Sequence, residues 1–119
     1  MSVQGVIEIQ KAFNSHKKRS AKGLLVGLYQ GGLFLQRESQ KEVPVDTGAL
    51  RASARTRAHG TGFNVYVTVS YGQNYAIYVH ENLEARHKPG KKAKFLEDPL
   101  RAKRKRIAEI IAEFAEIGV

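Results

Sequence analysis

Histidines, carboxylates and glycine–lysine runs are where this chain could do chemistry, and none of them forms a catalytic pattern. The four histidines are His16, His59, His80 and His87. His80-Glu81-Asn82-Leu83-Glu84 opens like a zinc-protease helix, in which two His one turn apart grip the metal and the Glu serves as base. Glu84 stands where the second His belongs, and His80 falls at a predicted strand end, so no metal site is expected. Gly90-Lys91-Lys92 is not a phosphate loop, because no Ser or Thr follows the lysines and no strand feeds the turn. There is no Gly-x-Ser-x-Gly elbow. Cysteine is absent, which removes thiolate nucleophiles, thiolate metal ligands and disulfides together and fits a reducing cytoplasm. Carboxylates are few, and no inward-facing pair can be argued. The chain reads as a non-enzyme with no cofactor.

Charge is the more informative chemistry. The net charge is +9 over 119 residues, a balance that speaks of partners rather than fold. Most of the surplus lies in one segment. Arg86, Lys88, Lys91, Lys92, Lys94, Arg101, Lys103, Arg104, Lys105 and Arg106 are opposed there only by Glu97 and Asp98. A solvated face is the usual explanation of such a run. An external anion, either phosphate or carboxylates on a partner, is favoured here because the run joins a basic loop to the basic half of a helix. That helix carries Arg101 to Arg106 near its start and Glu109, Glu113 and Glu116 near its end. This order opposes the helix dipole, which favours acids first and bases last. The basic segment holds one aromatic, Phe95, whereas single-strand binders interleave several as stacking platforms. Nor is there a helix-turn-helix or zinc-finger spacing.

The length suits one domain with one core. Residues 1–17 read as an arm or a short helix. From about Lys18 to Lys41 the apolar residues Ala21, Leu24, Leu25, Leu28 and Leu35 make a helical stripe. Gly27, Gly31 and Gly32 interrupt it; they imply either a kink or, less commonly, close approach of another backbone such as a neighbouring subunit. Pro44 ends this helix. Asp46-Thr47-Gly48 reads as a turn feeding a short helix, with a side-chain oxygen able to cap the N–H of Ala49 or Leu50. Beyond Leu50 the period becomes two. Ala52, Ala54, Thr56 and Ala58 alternate with Arg51, Ser53, Arg55, Arg57 and His59, and Gly60-Thr61-Gly62 makes a hairpin connection. Phe63 to Tyr71 alternates most clearly, and Tyr75 to His80 gives a third strand. A three-stranded antiparallel meander follows, which a helix must cover. Tyr66, Tyr71, Tyr75 and Tyr78 gather on that sheet; packing accounts for most of them, and part of the cluster could be an interface. Residues 82–94 read as a flexible basic loop. A final helix starts at Asp98-Pro99, with Asp98 as N-cap, or near Lys94. It is striped with Ile107, Ile110, Ile111, Phe114 and Ile117 and stops at Gly118.

Three ordered motifs carry a family resemblance. Val43-Pro44-Val45-Asp46-Thr47-Gly48-Ala49-Leu50-Arg51-Ala52-Ser53 resembles the signature of small neck proteins of tailed bacteriophages and prophages. That family goes under the names head–tail joining, tail-completion, and minor tail or capsid protein. Tyr75-Ala76-Ile77-Tyr78-Val79-His80-Glu81 and Lys94-Phe95-Leu96-Glu97-Asp98-Pro99-Leu100 follow in the family's order, and the likeness spans about 24–115. The resemblance implies an α+β fold: a long N-terminal helix, a short antiparallel meander and a C-terminal helix packed on the sheet. It implies a virion protein at the head–tail junction, assembled in the host cytoplasm as a ring of six copies. That ring would join the head connector and its completion proteins to the tail terminator or tail tube and let DNA pass. Pro44, Asp46, Thr47 and Gly48 would be a structural turn.

The expected contacts to acidic neighbours or to DNA are Arg51, Arg55 and Arg57, the loop residues Arg86, Lys88, Lys91 and Lys92, and the helix residues Arg101, Lys103, Arg104, Lys105 and Arg106. The competing expectation is a non-specific nucleic-acid-binding module of phage origin. No run of about 18 apolar residues exists, so no membrane partner is expected, and the N-terminus does not look like a secretion signal.

Overall fold

A computed structural model describes residues 21–44, 48–72, 75–80, 85–87 and 93–117, with the backbone alone for 85–87, 116 and 117. Helix α1 (Ala21–Gln40) is followed by the short helix α2 (Gly48–Ala52). Strands β1 (Ala54–Thr61), β2 (Asn64–Tyr71), β3 (Tyr75–Val79) and β4 (Ala85–His87) come next, then helices α3 (Lys94–Ala102) and α4 (Arg104–Ile117). The arm or short helix expected in 1–17 lies outside the described residues.

The strands form one antiparallel sheet in the order β1-β2-β3-β4. The three strands expected from the alternating pattern are present, and residues 85–87, read from sequence as loop, add a fourth. Three residues are too few to show a period, which is why β4 left no trace in the pattern. The β1–β2 hairpin closes at the Thr61–Asn64 pair, so Gly62 and Phe63 form a two-residue turn. Gly62 has φ +58, the left-handed backbone that a tight hairpin needs at its first central position. Arg51 and Ala52, read as the start of the alternation, belong instead to α2.

One face of the sheet is apolar. Val65, Val67, Val69 and Tyr71 of β2 and Ile77 and Val79 of β3 are buried beneath the helices. Leu24, Leu28 and Leu35 of α1, Leu96 and Leu100 of α3, and Ile107 and Ile111 of α4 complete the core. Helix α1 packs on β1 and β2, α3 closes over β3 and α1, and α4 runs along α1. The α+β architecture expected from sequence is the one observed.

Gly27, Gly31 and Gly32 do not break α1, which runs on through them. They are points of close approach, and the neighbour is this chain itself. A Cβ on Gly27 would lie 2.5 Å from the Ile111 carbonyl oxygen and 3.3 Å from the Ala115 nitrogen, so α1 and α4 meet backbone to backbone. A Cβ on Gly31 would meet the Ile111 side chain at 2.9 Å, and one on Gly32 would meet Val67 and Thr56 of the sheet at 2.7 and 2.8 Å. Helix α1 thus meets α4 through Gly27 and Gly31 and the sheet through Gly32.

Its C-terminal end is fixed by a buried polar pair. The Ser39 and Tyr71 hydroxyls are 2.8 Å apart, and both residues are fully buried. Tyr71 meets the edge of Phe95 of α3 at 4.9 Å between ring centres. Burial raises the Tyr71 pKa above the usual phenol value, against the smaller opposing effects of the Ser39 bond and Arg51. The neutral phenol is therefore the form the fold favours, and its contribution is present below about pH 10 and lost above it.

The final helix differs from its sequence reading. Ala93, not Asp98, is the N-cap of α3, and it caps without a side-chain hydrogen bond. Pro99 lies inside α3, and the chain breaks at Lys103 (φ −108°, ψ 12°) before α4 begins. Proline removes one helical donor and crowds the carbonyl four residues back. The i, i+4 bonds nevertheless resume across it, with Lys103 donating to Pro99 at 2.8 Å and Ile107 donating to Lys103 at 2.9 Å. The break also re-sorts the charges. In α3, Glu97 sits in the first turn and Arg101 in the last, the order the dipole favours. Only α4 keeps the reversed order.

Gly27→Ala tests the close approach by its sign. In an exposed helix this change stabilises by about 1 kcal/mol. Here overpacking against α4, of about 1–3 kcal/mol, outweighs that gain, so urea denaturation should show a lower midpoint than wild type. A raised midpoint would mean the two backbones are not in contact.

Candidate interaction surface

The side of the sheet away from the helices carries no covering element among the described residues. Strand alternation places Arg55, Arg57 and His59 of β1 there, with Tyr66, Thr68 and Ser70 of β2 and Ala76 and Tyr78 of β3. The register adds Arg86 of β4, opposite Tyr78, so positions 57, 68, 78 and 86 make one row across all four strands.

Aromatic rings occupy the middle of this face. His59 and Tyr66 stack at 4.8 Å between ring centres with an interplanar angle of 18°. Tyr78 and His80 flank Tyr66 at 6.1 and 5.6 Å, tilted by 53° and 39°. The His59 Nε2 is 2.9 Å from the Thr68 hydroxyl, which fixes the imidazole across the strand pair. The stacked pair turns one ring face of His59 and one of Tyr66 toward each other rather than toward solvent. No carboxylate lies on this face among the described residues. It is therefore suited to receive negatively charged acceptors, with apolar ring bodies beneath.

The expected contact residues divide into several groups. Arg55 and Arg57 are exposed on the open face. Arg55 donates to the carbonyls of Ala54 at 2.7 Å and Ala52 at 3.2 Å, so its guanidinium is steadied by its own strand. Arg51 does not join them. It lies on α2 and donates to the Val43 carbonyl at 3.2 Å, while Gln40 donates to the Arg51 carbonyl at 3.2 Å. This pair of bonds ties α2 to the end of α1. Arg101, Lys103, Lys105 and Arg106 are exposed on α3, α4 and their junction, whereas Arg104 is only 8% exposed. Burial, and to a lesser degree Arg101, lowers its pKa. Arg106 forms an ion pair with Glu109 at 3.6 Å, both side chains half exposed; such a pair adds little to stability. Asp46 and Thr47 of the turn, and Lys88, Lys91 and Lys92 of the loop, lie outside the described residues. Pro44 and Gly48 flank that turn, and a Cβ on Gly48 would meet nothing within 4 Å.

The tyrosines separate into two sets. Tyr71 and Tyr75 face the core, with Tyr75 against Phe95 at 5.4 Å; Tyr66 and Tyr78 face outward with the two histidines. Sequence reading gathered all four and missed His59 and His80 as their neighbours. The signal was the parity of position along each strand, but joining parities across strands needs the register. Among the described residues no three His, Asp or Glu come together to hold a metal ion, and no described helix is long and apolar enough to cross a membrane.

Comparison with protein-family models, with curated proteins and with solved structures finds no match to this chain.

The two arginines should behave differently. Arg51→Ala removes a link between elements and leaves the Val43 carbonyl without that donor, which costs about 1 kcal/mol, while Arg57→Ala leaves the thermal midpoint of the dilute monomer unchanged. Thermal unfolding of both variants checks this. Equal loss in both would mean Arg57 has a structural partner.

Proposed function

We propose that this protein is a structural component of a tailed-phage or prophage virion, a ring-forming joining protein at the head–tail junction. The observation that carries the reading is the open face of aromatic rings and arginines, without a carboxylate among the described residues. Tyrosine and arginine are residues enriched in protein interfaces. The order of elements supports the same reading: a long helix, a Pro-containing turn, a hairpin, a Tyr-rich strand and C-terminal helices follow the three motifs of the neck-protein resemblance. In this account the ring is a hexamer between the head connector and the tail terminator or tail tube, with viral DNA passing through it. The chain's own part is to supply shape and charge, and no step of chemistry is assigned to it.

One observation favours a second reading. The same basic face, with Arg101, Lys103 and Lys105 exposed elsewhere, could bind nucleic acid through phosphates without regard to sequence. His59 and Tyr66 each turn one ring face toward the other, so stacking recognition of single strands has less support than phosphate contact.

Native mass spectrometry over a range of concentrations, combined with gel-shift titration at two salt levels, separates the readings. The joining protein should form a closed oligomer of six copies and bind free duplex poorly at both salts. A monomer at every concentration, with duplex binding that falls steeply as salt rises, would replace the first reading by the second.

A further inference from the structure

We infer that the open sheet face of one copy is covered by the acidic end of helix α4 of a second copy. This inference rests on the ring reading above and names the surfaces that build the ring. It starts from the reversed charges of α4, which the stability of the helix does not explain. Glu109 and Glu113 are one helical turn apart on the exposed stripe of α4. As like charges at i, i+4 they repel each other, and they lie in the half of the helix where the dipole disfavours acids. Glu113 has no hydrogen bond or ion pair among the described residues, and neither has Arg57. Both positions gain from a cross-copy contact that the other described residues do not supply.

Spacing and placement agree. Cβ atoms at i and i+4 of a helix are about 5–6 Å apart. Side chains at i and i+2 of a strand, here Arg55 and Arg57, are about 6.8 Å apart at 3.4 Å per residue. Two carboxylates one turn apart therefore match two guanidinium groups on one face of β1. Ala112, half buried beside the two glutamates, leaves room for the rings of Tyr66 and Tyr78, whose hydroxyls can donate to the same carboxylates. The exposed residues of α4 lie on the side turned away from the Ile107 and Ile111 stripe that packs on α1, and the open sheet face is turned away from both helices. The two complementary surfaces are thus separate parts of one molecule. Such a contact is head-to-tail, and head-to-tail contacts close into rings when the rotation per copy allows.

Charge reversal tests the pairing. Arg57→Glu and Glu113→Arg are made singly, checked for fold by circular dichroism, and examined by native mass spectrometry alone and mixed one to one. Each single variant places like charges in every interface, so each should assemble on the order of tenfold or more less tightly than wild type. The mixture should recover closed rings in which the two variants alternate, because every interface then pairs opposite charges again. Rings in both single variants as stable as those of wild type would overturn the assigned surfaces while leaving the ring itself standing. Loss of rings in Arg57→Glu without rescue by Glu113→Arg would mean that the sheet face meets something other than α4. A wild type that stays monomeric would remove both the ring and its interface.

Discussion

At Gly27 the backbone of α1 comes so near the backbone of α4 that one added methyl group would lie 2.5 Å from the Ile111 carbonyl oxygen. The rest of the architecture depends on that approach. With α4 drawn against one side of α1 and the sheet against another through Gly32, both helices stay in one stack on one side of the sheet. Ile107 and Ile111 reach the shared core only because no side chains separate the two helices. The cost is that three of the helix's four glycines, Gly27, Gly31 and Gly32, stand in its interior, each about 1 kcal/mol less favourable than alanine there, offset by the apolar area the close packing removes from water. The consequence is one-sided. Among the described residues all the apolar cover goes to one face of the sheet, and the other carries arginine, tyrosine, histidine, threonine and serine.

Much of this was legible in the sequence, and the reasons for the rest are physical. The stripes in α1 and α4 and the alternation in β2 gave the elements, because periods of 3.6 and 2 repeat often enough in them to be read. Strand β4 has three residues and no period to show. The break at Lys103 was missed because Asp98-Pro99 imitates a helix start, whereas Ala93 caps α3 by backbone geometry alone. Arg51 looked like a member of the β1 series by parity, but α2 occupies that position and turns its guanidinium toward Val43. Arg104, one basic residue in a run of four, is set apart only by the tertiary fold, which buries it. The aromatic cluster needed the register: His59 lies opposite Tyr66 through the β1–β2 pairing, and His80 reaches Tyr66 from the end of β3.

Charge links the fold to the proposed role. A net charge of +9 on a small domain works against its own compactness and favours contact with anything negative. Within the described residues this surplus is arranged rather than spread: a carboxylate-free sheet face and, apart from it, a helix with segregated charge. In a neck ring such an arrangement lets identical copies find each other in one orientation, because like faces repel and unlike faces attract. In the proposed ring, the bases left exposed on α3 and at the start of α4 would be available to the structures above and below, or to the DNA.

The central claim is that the open face of the sheet is an interface that assembly covers. Hydroxyl-radical footprinting read by mass spectrometry tests it most directly, with dilute monomer compared to the assembled form. The account predicts that Tyr66 and Tyr78 are oxidised readily in the monomer and become protected on assembly, while Tyr71 stays protected in both. Oxidation of Tyr66 and Tyr78 at the same rate in the assembled form would contradict it.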